Sequence, residues 1–351
     1  MTDRYAAAGV NITAGNEAVA RYREIAARGR DPRILDGIGG FGGCFDFRGY
    51  RDPVLVASTD GVGTKVLVAA ALHRYDTVGQ DLVNHCVNDI LCVNAQPLFF
   101  LDYYAVGRLD PDVAAQVVGG VAKACKENGA ALLGGETAEM PGVYAETHFD
   151  IAGTIVGAVE RDKLADPSTV IAGDAIIALP ANGLHTNGYS LARSVLQPER
   201  WRERMIGSEQ TIGDALLAVH PSYLRYVRAV QDAGVIIKAM AHITGGGLIE
   251  NMPRILPEHL AARFDRSAWS VPAIAALIAR SAGLSVEEAH RTLNMGVGFC
   301  IVVSAADKNA ALAAARGALS EHPVTDASGA TASVVGEVEP RHACGPAVII
   351  A

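Results

Sequence analysis

Val54-Leu55-Val56-Ala57 runs almost directly into Thr59-Asp60-Gly61-Val62-Gly63-Thr64-Lys65, and apolar residues then recur at helical spacing through Leu72. The short apolar run reads as a buried strand, and Thr59–Lys65 as its junction with a helix. That junction sets a carboxylate at the strand's end, glycines that let a phosphate approach the backbone, and an ammonium at the start of the next helix. Together they make a magnesium–phosphate corner. The plainer reading is an ordinary Asp-Gly turn with Lys65 in solvent.

The alternation of strand and helix continues outward in both directions. Asn16–Arg30 reads as a helix, ending near Gly29 and Pro32. From Asp81 to Val93, Leu82, Val83, Cys86, Val87, Ile90 and Leu91 form one apolar stripe. The opposite face carries Asp81, Asn84, His85, Asn88 and Asp89. These are short, ligand-like side chains in place of the Lys, Glu and Arg of an ordinary solvated face. Leu98–Val106 reads as a strand, Asp110–Asn128 as a helix, and Ala130–Leu133 as a strand that ends before Gly134-Gly135-Glu136. Asp150–Val159 alternates like a strand. The polar stretch Glu160–Gly173 marks a boundary, which predicts domains over 1–165 and 170–351. Beyond it, strands at Ala175–Leu179 and Val235–Ile243 alternate with helices to the closing Ala347–Ile350. The pattern predicts an α/β (α+β) chain of two domains with mixed sheets and flanking helices.

Composition supports this and excludes several functions. A chain of 351 residues is long for one core. With 50% hydrophobic and 19% charged residues, disorder is excluded. No apolar run is long enough to span a bilayer, and Met1–Asn16 lacks the apolar segment of a signal peptide. The chain is therefore expected in the cytoplasm, away from membranes. The net charge of −8 and the lack of a Lys/Arg block argue against nucleic acid. Six scattered cysteines, with no metal spacing, are expected to be small buried thiols.

Further motifs are individually modest. Gly37-Ile38-Gly39-Gly40-Phe41-Gly42-Gly43 matches a dinucleotide fingerprint in letters but follows a helix and precedes a non-helical stretch, so that reading fails. A surface loop and a phosphate-covering lid both remain open. Glu136 lies past a strand, behind two glycines, and with Asp60 and Asp89 supplies a third hard oxygen donor. His185 sits in the loop Gly183-Leu184-His185-Thr186-Asn187-Gly188, where it could be structural or chemical. Thr244-Gly245-Gly246-Gly247 is either an anion cradle or a tight turn, with His242 beside it.

The order of these motifs is specific where each alone is not. Tyr5…Ala8-Gly9-Val10, Gly39–Gly43, Thr59–Lys65, Val87-Asn88-Asp89, Gly134–Met140, Gly183–Ser190, His242–Gly247 and Arg291–Gly298 stand in the order found in the phosphoribosylformylglycinamidine cyclo-ligase family. The chain resembles that family from residue 5 to its end. Pro97–Tyr103 and Gly134–Gly142 favour it over other members of the PurM-like ATP-binding superfamily. Leu293 and His290 depart from the expected phenylalanine and tyrosine.

The resemblance implies a homodimer joined through its N-terminal half. It also implies conversion of formylglycinamidine ribonucleotide and ATP to aminoimidazole ribonucleotide, ADP and phosphate. Under it, Asp60, Asp89 and Glu136 hold Mg²⁺, with K⁺ a candidate second cation. Lys65 meets the phosphates along with Thr59, Gly61, Gly63 and Thr64. Gly39, Gly40, Phe41, Gly42 and Gly43 form the lid. His185 is the candidate acid/base, with His85 as its competitor and His242 as an electrostatic alternative. Lys65 and Asp60 are also in the catalytic set, and Asn187, Thr244, Gly245, Gly246 and Gly247 bind substrate.

Overall fold

The computed structural model describes residues 11–28, 30–36, 42–206, 208–327 and 329–351. They form two compact units divided at Asp162/Lys163, with Leu91–Asn94 grouped with the second.

The first unit opens with helix α1 (Ile12–Ala27), whose Asn11 side chain accepts the Ala14 N–H as its cap. Strand β1 (Pro53–Gly61) leads to α2 (Lys65–Leu72) and α3 (Asp76–Leu91). Strand β2 (Gln96–Val106), helix α4 (Pro111–Glu127) and strand β3 (Ala131–Glu139) come next, and β4 (Phe149–Glu160) closes the unit. The sheet order is β1-β4-β2-β3. β4 runs antiparallel to both β1 and β2, while β2 and β3 are parallel. That parallel pair is what α4 makes possible, because parallel neighbours need a crossover.

One face of this sheet is covered by helices and the other is bare. On the covered face the α3 stripe of Leu82, Val83, Cys86, Val87, Ile90 and Leu91 is fully buried, with Phe100 and Ile155 beneath it. Each such aliphatic contributes roughly 1.5–3 kcal/mol by leaving water. Two glycines bring α3 and α4 together backbone to backbone. A Cβ at Gly79 would lie 2.1 Å from the Val117 carbonyl, and one at Gly120 would lie 2.4 Å from the Asp76 carbonyl. The bare face exposes Leu55, Leu101 and Tyr103.

The second unit contains β5 (Ala175–Pro180), α5 (Tyr189–Val195), α6 (Ile212–Leu216), α7 (Leu224–Asp232), β6 (Ile237–His242) and α8 (Gly247–Asn251). It continues with β7 (Leu260–Phe264), α9 (Ala273–Ser281), α10 (Val286–Thr292), β8 (Val297–Val303), α11 (Lys308–Glu321), β9 (Ser333–Pro340) and β10 (Val348–Ile350). Its sheet order is β10-β7-β9-β5-β8-β6, antiparallel except for β10 on β7. β5 and β8 are buried along their whole length, which is why they read as unbroken apolar runs without alternation.

The thiol expectation needs correcting. Cys86, Cys125 and Cys300 are buried, but Cys44 and Cys344 are exposed and Cys92 lies between. The exposed pair sit outside every helix and strand, where no core is available to them.

Candidate active site

In the first unit β1 extends through Gly61, past where the apolar run ends. Asp60 is therefore a strand residue, paired with Gly153 of β4, and the Asp-Gly turn reading does not hold. Alternation along β1 then decides which side chains reach the helices. Ser58 does, since its hydroxyl donates to Asp89 Oδ2 at 3.0 Å. Asp60 does also, accepting from His85 Nε2 at 2.8 Å. Asp89 Oδ2 lies 3.8 Å from the same nitrogen.

Asp60, His85 and Asp89 thus bring one ligand atom each to within 4.8 Å of one another. Desolvation opposes charge on the buried His85 ring, but the Asp60 hydrogen bond and the Asp89 and Asp60 charges outweigh it and raise its pKa. Burial likewise works against the Asp60 carboxylate, and the His85 bond prevails, lowering its pKa. The two carboxylates fit the hard donors Mg²⁺ prefers, since that ion commonly takes one or two protein carboxylates and completes its shell with phosphates and water. An imidazole nitrogen suits Mg²⁺ less, so the fit rests on Asp60 and Asp89.

Glu136 does not join them. β3 continues through the two glycines to Glu139, so Glu136 is within the strand and not past its end. A Cβ at Gly135 would press on Asp102 Oδ1, and the Thr137 hydroxyl donates to Tyr22 of α1, on the helix-covered face. Alternation sends Glu136 to the other face, where its β2 partner is the exposed Tyr103. Thr59 goes the same way. Its hydroxyl is 2.7 Å from that of Thr154, on the face opposite Asp60.

Lys65 is also relocated. Its ammonium is fully buried and sits 2.7 Å from Asp81 Oδ2, itself fully buried. Loss of water lowers the Lys65 pKa against the opposing pull of Asp81. The side chain is an internal strut, not a cation held out to a phosphate. The polar face of α3 proves enclosed too, with Asp81, Asn84, His85 and Asn88 all buried. Gly63 adopts φ 55° and turns the chain into α2, which begins after Thr64. Gly61 donates its N–H to Asp60 Oδ1. Of the lid, Gly39, Gly40 and Phe41 lie outside the described residues. Gly42 faces open space, and Gly43 packs against Leu133 of β3.

The second unit gathers rings around His185. His185 has φ 61°, a left-handed conformation rare for a residue with a side chain, and it is 1% exposed. Its ring stacks on His220 at 4.1 Å between centroids, and its Nε2 is 3.4 Å from the Tyr223 hydroxyl. That hydroxyl donates to the Pro180 carbonyl, so toward His185 it is an acceptor. His220 Nε2 in turn lies 3.0 Å from His242 Nε2. Gly298 makes room for the group, because a Cβ there would fall 1.8 Å from the Tyr223 hydroxyl oxygen.

Asn187 and the glycine loop come together, with a Cβ at Gly245 falling 3.3 Å from Asn187 Oδ1. The Asn251 amide holds the loop from behind through the carbonyls of Thr244, Gly245 and Gly247. The Gly247 N–H closes the turn onto Thr244 and is not offered outward. Asp81, Ser58, His220 and Tyr223 were absent from the candidates. Asp81 alone carried a signal, its place in the four-residue spacing with His85 and Asp89.

Two family models match the chain: "AIR synthase related protein, N-terminal domain" over residues 43–159, and "AIR synthase related protein, C-terminal domain" over residues 172–348. A phosphoribosylformylglycinamidine cyclo-ligase of Desulfitobacterium hafniense (strain DSM 10664 / DCB-2) is 50% identical over 305 residues, covering 86% of this chain and 90% of that protein. The enzyme of the same name from Thermoanaerobacter pseudethanolicus is 45% identical over 311 residues, covering 88% and 92%. That of Burkholderia cenocepacia is 46% identical over 310 residues, covering 88% of each. Among solved structures, the E. coli hydrogenase maturation protein HypE aligns at TM-score 0.64 and 18% identity, covering 95% and 92%. A thiamine-monophosphate kinase from Stenotrophomonas maltophilia aligns at TM-score 0.64 and 17% identity, covering 95% of both chains. At such identities these two share the fold alone.

Proposed function

The chain belongs to the AIR synthase related family, and we propose that it closes the imidazole ring of aminoimidazole ribonucleotide, consuming formylglycinamidine ribonucleotide and ATP and releasing ADP and phosphate. The observation that carries this reading is identity of 45–50% over most of both chains to enzymes named for that reaction.

The chemistry asks for what the first unit holds. An amide oxygen is a poor leaving group, so the γ-phosphoryl of ATP goes to the formamide oxygen, giving an imidate phosphate and ADP. The amidine nitrogen then attacks that carbon, phosphate departs with the oxygen, and the nitrogen loses a proton. Such a transfer depends on positioning and charge neutralisation more than on covalent help. Bound Mg²⁺ would supply neutralisation at the phosphates. Asp60 and Asp89 are the side chains that would hold it, with Ser58 and His85 fixing their orientation.

The bare sheet face supports a homodimer. Leu55 is 61% exposed there, and Leu101 and Tyr103 each 38%, on a sheet whose other side is covered by helices. A second copy would cover them. His185 is kept as the proton-handling residue, supported by its left-handed backbone at a buried position. The cytoplasm is the proposed location. Among the described residues no helix is long and apolar enough to cross a membrane.

The test is to mix the protein with ATP, Mg²⁺ and formylglycinamidine ribonucleotide, following ADP and the imidazole product in parallel. The two should form one to one, and only with substrate present. ATP turnover without substrate, or a stably phosphorylated acceptor, would refute the proposal.

A further inference from the structure

Within the first unit a cavity of about 760 Å³ opens between the end of α2, the end of β2, the start of α4 and the stretch before β4. On β4 its lining residue is Phe149, four residues along the strand from Gly153, the partner of Asp60. Its volume falls in the range of small-molecule sites. Phe149 forms the wall with Tyr75 and Tyr104, its ring centroid 5.8 Å from each of theirs. These faces suit a flat ring.

The polar groups around the mouth narrow the choice. Arg108 is exposed at the edge, and among the described residues no hydrogen bond or ion pair commits its guanidinium. Glu146 stands at the same mouth as an exposed acceptor. Asp110 is already used, capping α4 through the N–H groups of Asp112 and Val113. Behind the wall the Tyr104 hydroxyl is buried with no hydrogen-bond partner among the described residues. A guanidinium binds phosphate, a carboxylate binds an exocyclic amino group, and the aromatic wall takes the ring between them.

We propose that this cavity is a second ligand site, taking a mononucleotide whose base carries an amino group. It stands apart from the ATP reading, because neither Arg108 nor the aromatic wall belongs to the group around Asp60.

The probe is adenosine monophosphate, measured by equilibrium dialysis on the full chain with a non-hydrolysable ATP analogue and Mg²⁺ at saturation. One AMP should bind per chain with the analogue present. Arg108→Ala should weaken AMP by about tenfold and leave adenosine unchanged. Ala70→Leu, which fills the cavity, should abolish binding of both while cyclisation without AMP stays normal. If Ala70→Leu does not fold, Val113→Phe fills the same space from α4. Displacement of AMP by the analogue, affinity unaltered by the filling substitution, or no binding of AMP at all overturns the proposal.

Discussion

Two acidic groups of helix α3, Asp81 and Asp89, have opposite fates. Asp81 is sealed against Lys65 with neither side chain exposed, whereas Asp89, eight residues on, keeps 28% of its side chain in solvent beside Asp60 and His85. The first pair has no room for a ligand. The second shares its charges among three groups and leaves carboxylate edges open. The same residue type on one helix is thus a strut in one place and an open carboxylate in another, and the difference lies in the neighbours: Lys65 of α2 for Asp81, Ser58 and Asp60 of β1 for Asp89.

The largest effect should come from breaking the sealed pair. Lys65→Met leaves Asp81 buried without its cation and should cost about 3–5 kcal/mol of stability, read by urea denaturation. Loss of activity at unchanged stability would instead make Lys65 a phosphate ligand. Asp60→Asn tests the open group. It should lower kcat by about 10²–10³-fold with little change in melting temperature, and near-normal turnover at saturating Mg²⁺ would remove Asp60 from the metal site.

His185 is buried like Lys65 yet strained like a working residue. His185→Ala should lower kcat at least about tenfold with a modest change in KM for ATP, and should flatten the acidic limb of the pH–rate profile. A change in substrate affinity alone would make it a binding residue.

Asp102 offers a carboxyl that is neither sealed with a cation nor open like Asp89. Half-buried beside Gly135, it loses hydration and is pushed up to about 7. Because its folded value lies above its unfolded one, its contribution is fully present near pH 4 and lost as pH rises to 7. Asp102→Asn should therefore be neutral near pH 4 and stabilising by about 1–2 kcal/mol at pH 8, after discounting for partial exposure. Destabilisation at pH 8 would reveal a cation partner. Smallest of all, Thr59→Val on the bare face should leave kcat within about twofold and stability within about 0.5 kcal/mol.

Much of this was legible in the chain. The α3 stripe was readable because burial on one helix face leaves a period of 3.6, and Asp110–Asn128 because Asp110 caps it. The enclosure of the opposite α3 face was not, since a polar stripe looks alike in water or against a second element. Asp60 and Glu136 were identified as carboxylates but placed past their strands, because glycine reads as a breaker. In this sheet Gly61, Gly134 and Gly135 stay in the ladder. That extension fixes the parity that joins Asp60 to Asp89 and parts both from Glu136. His220 and Tyr223 left no trace because their partners are distant in sequence.

The glycine contact between α3 and α4 has a mechanical consequence. Asp60 rides on the sheet and Asp89 on the helix, so the gap between their carboxylates is set by how firmly α3 is seated. With Gly79 and Gly120 removing the compliant layer of side chains, backbone meets backbone, and such packing compresses little and transmits displacement. Pressure or modest warming should barely alter the spacing of the two carboxylates. A single methyl at Gly79 would act as a wedge, and the displaced helix would carry Asp89 with it.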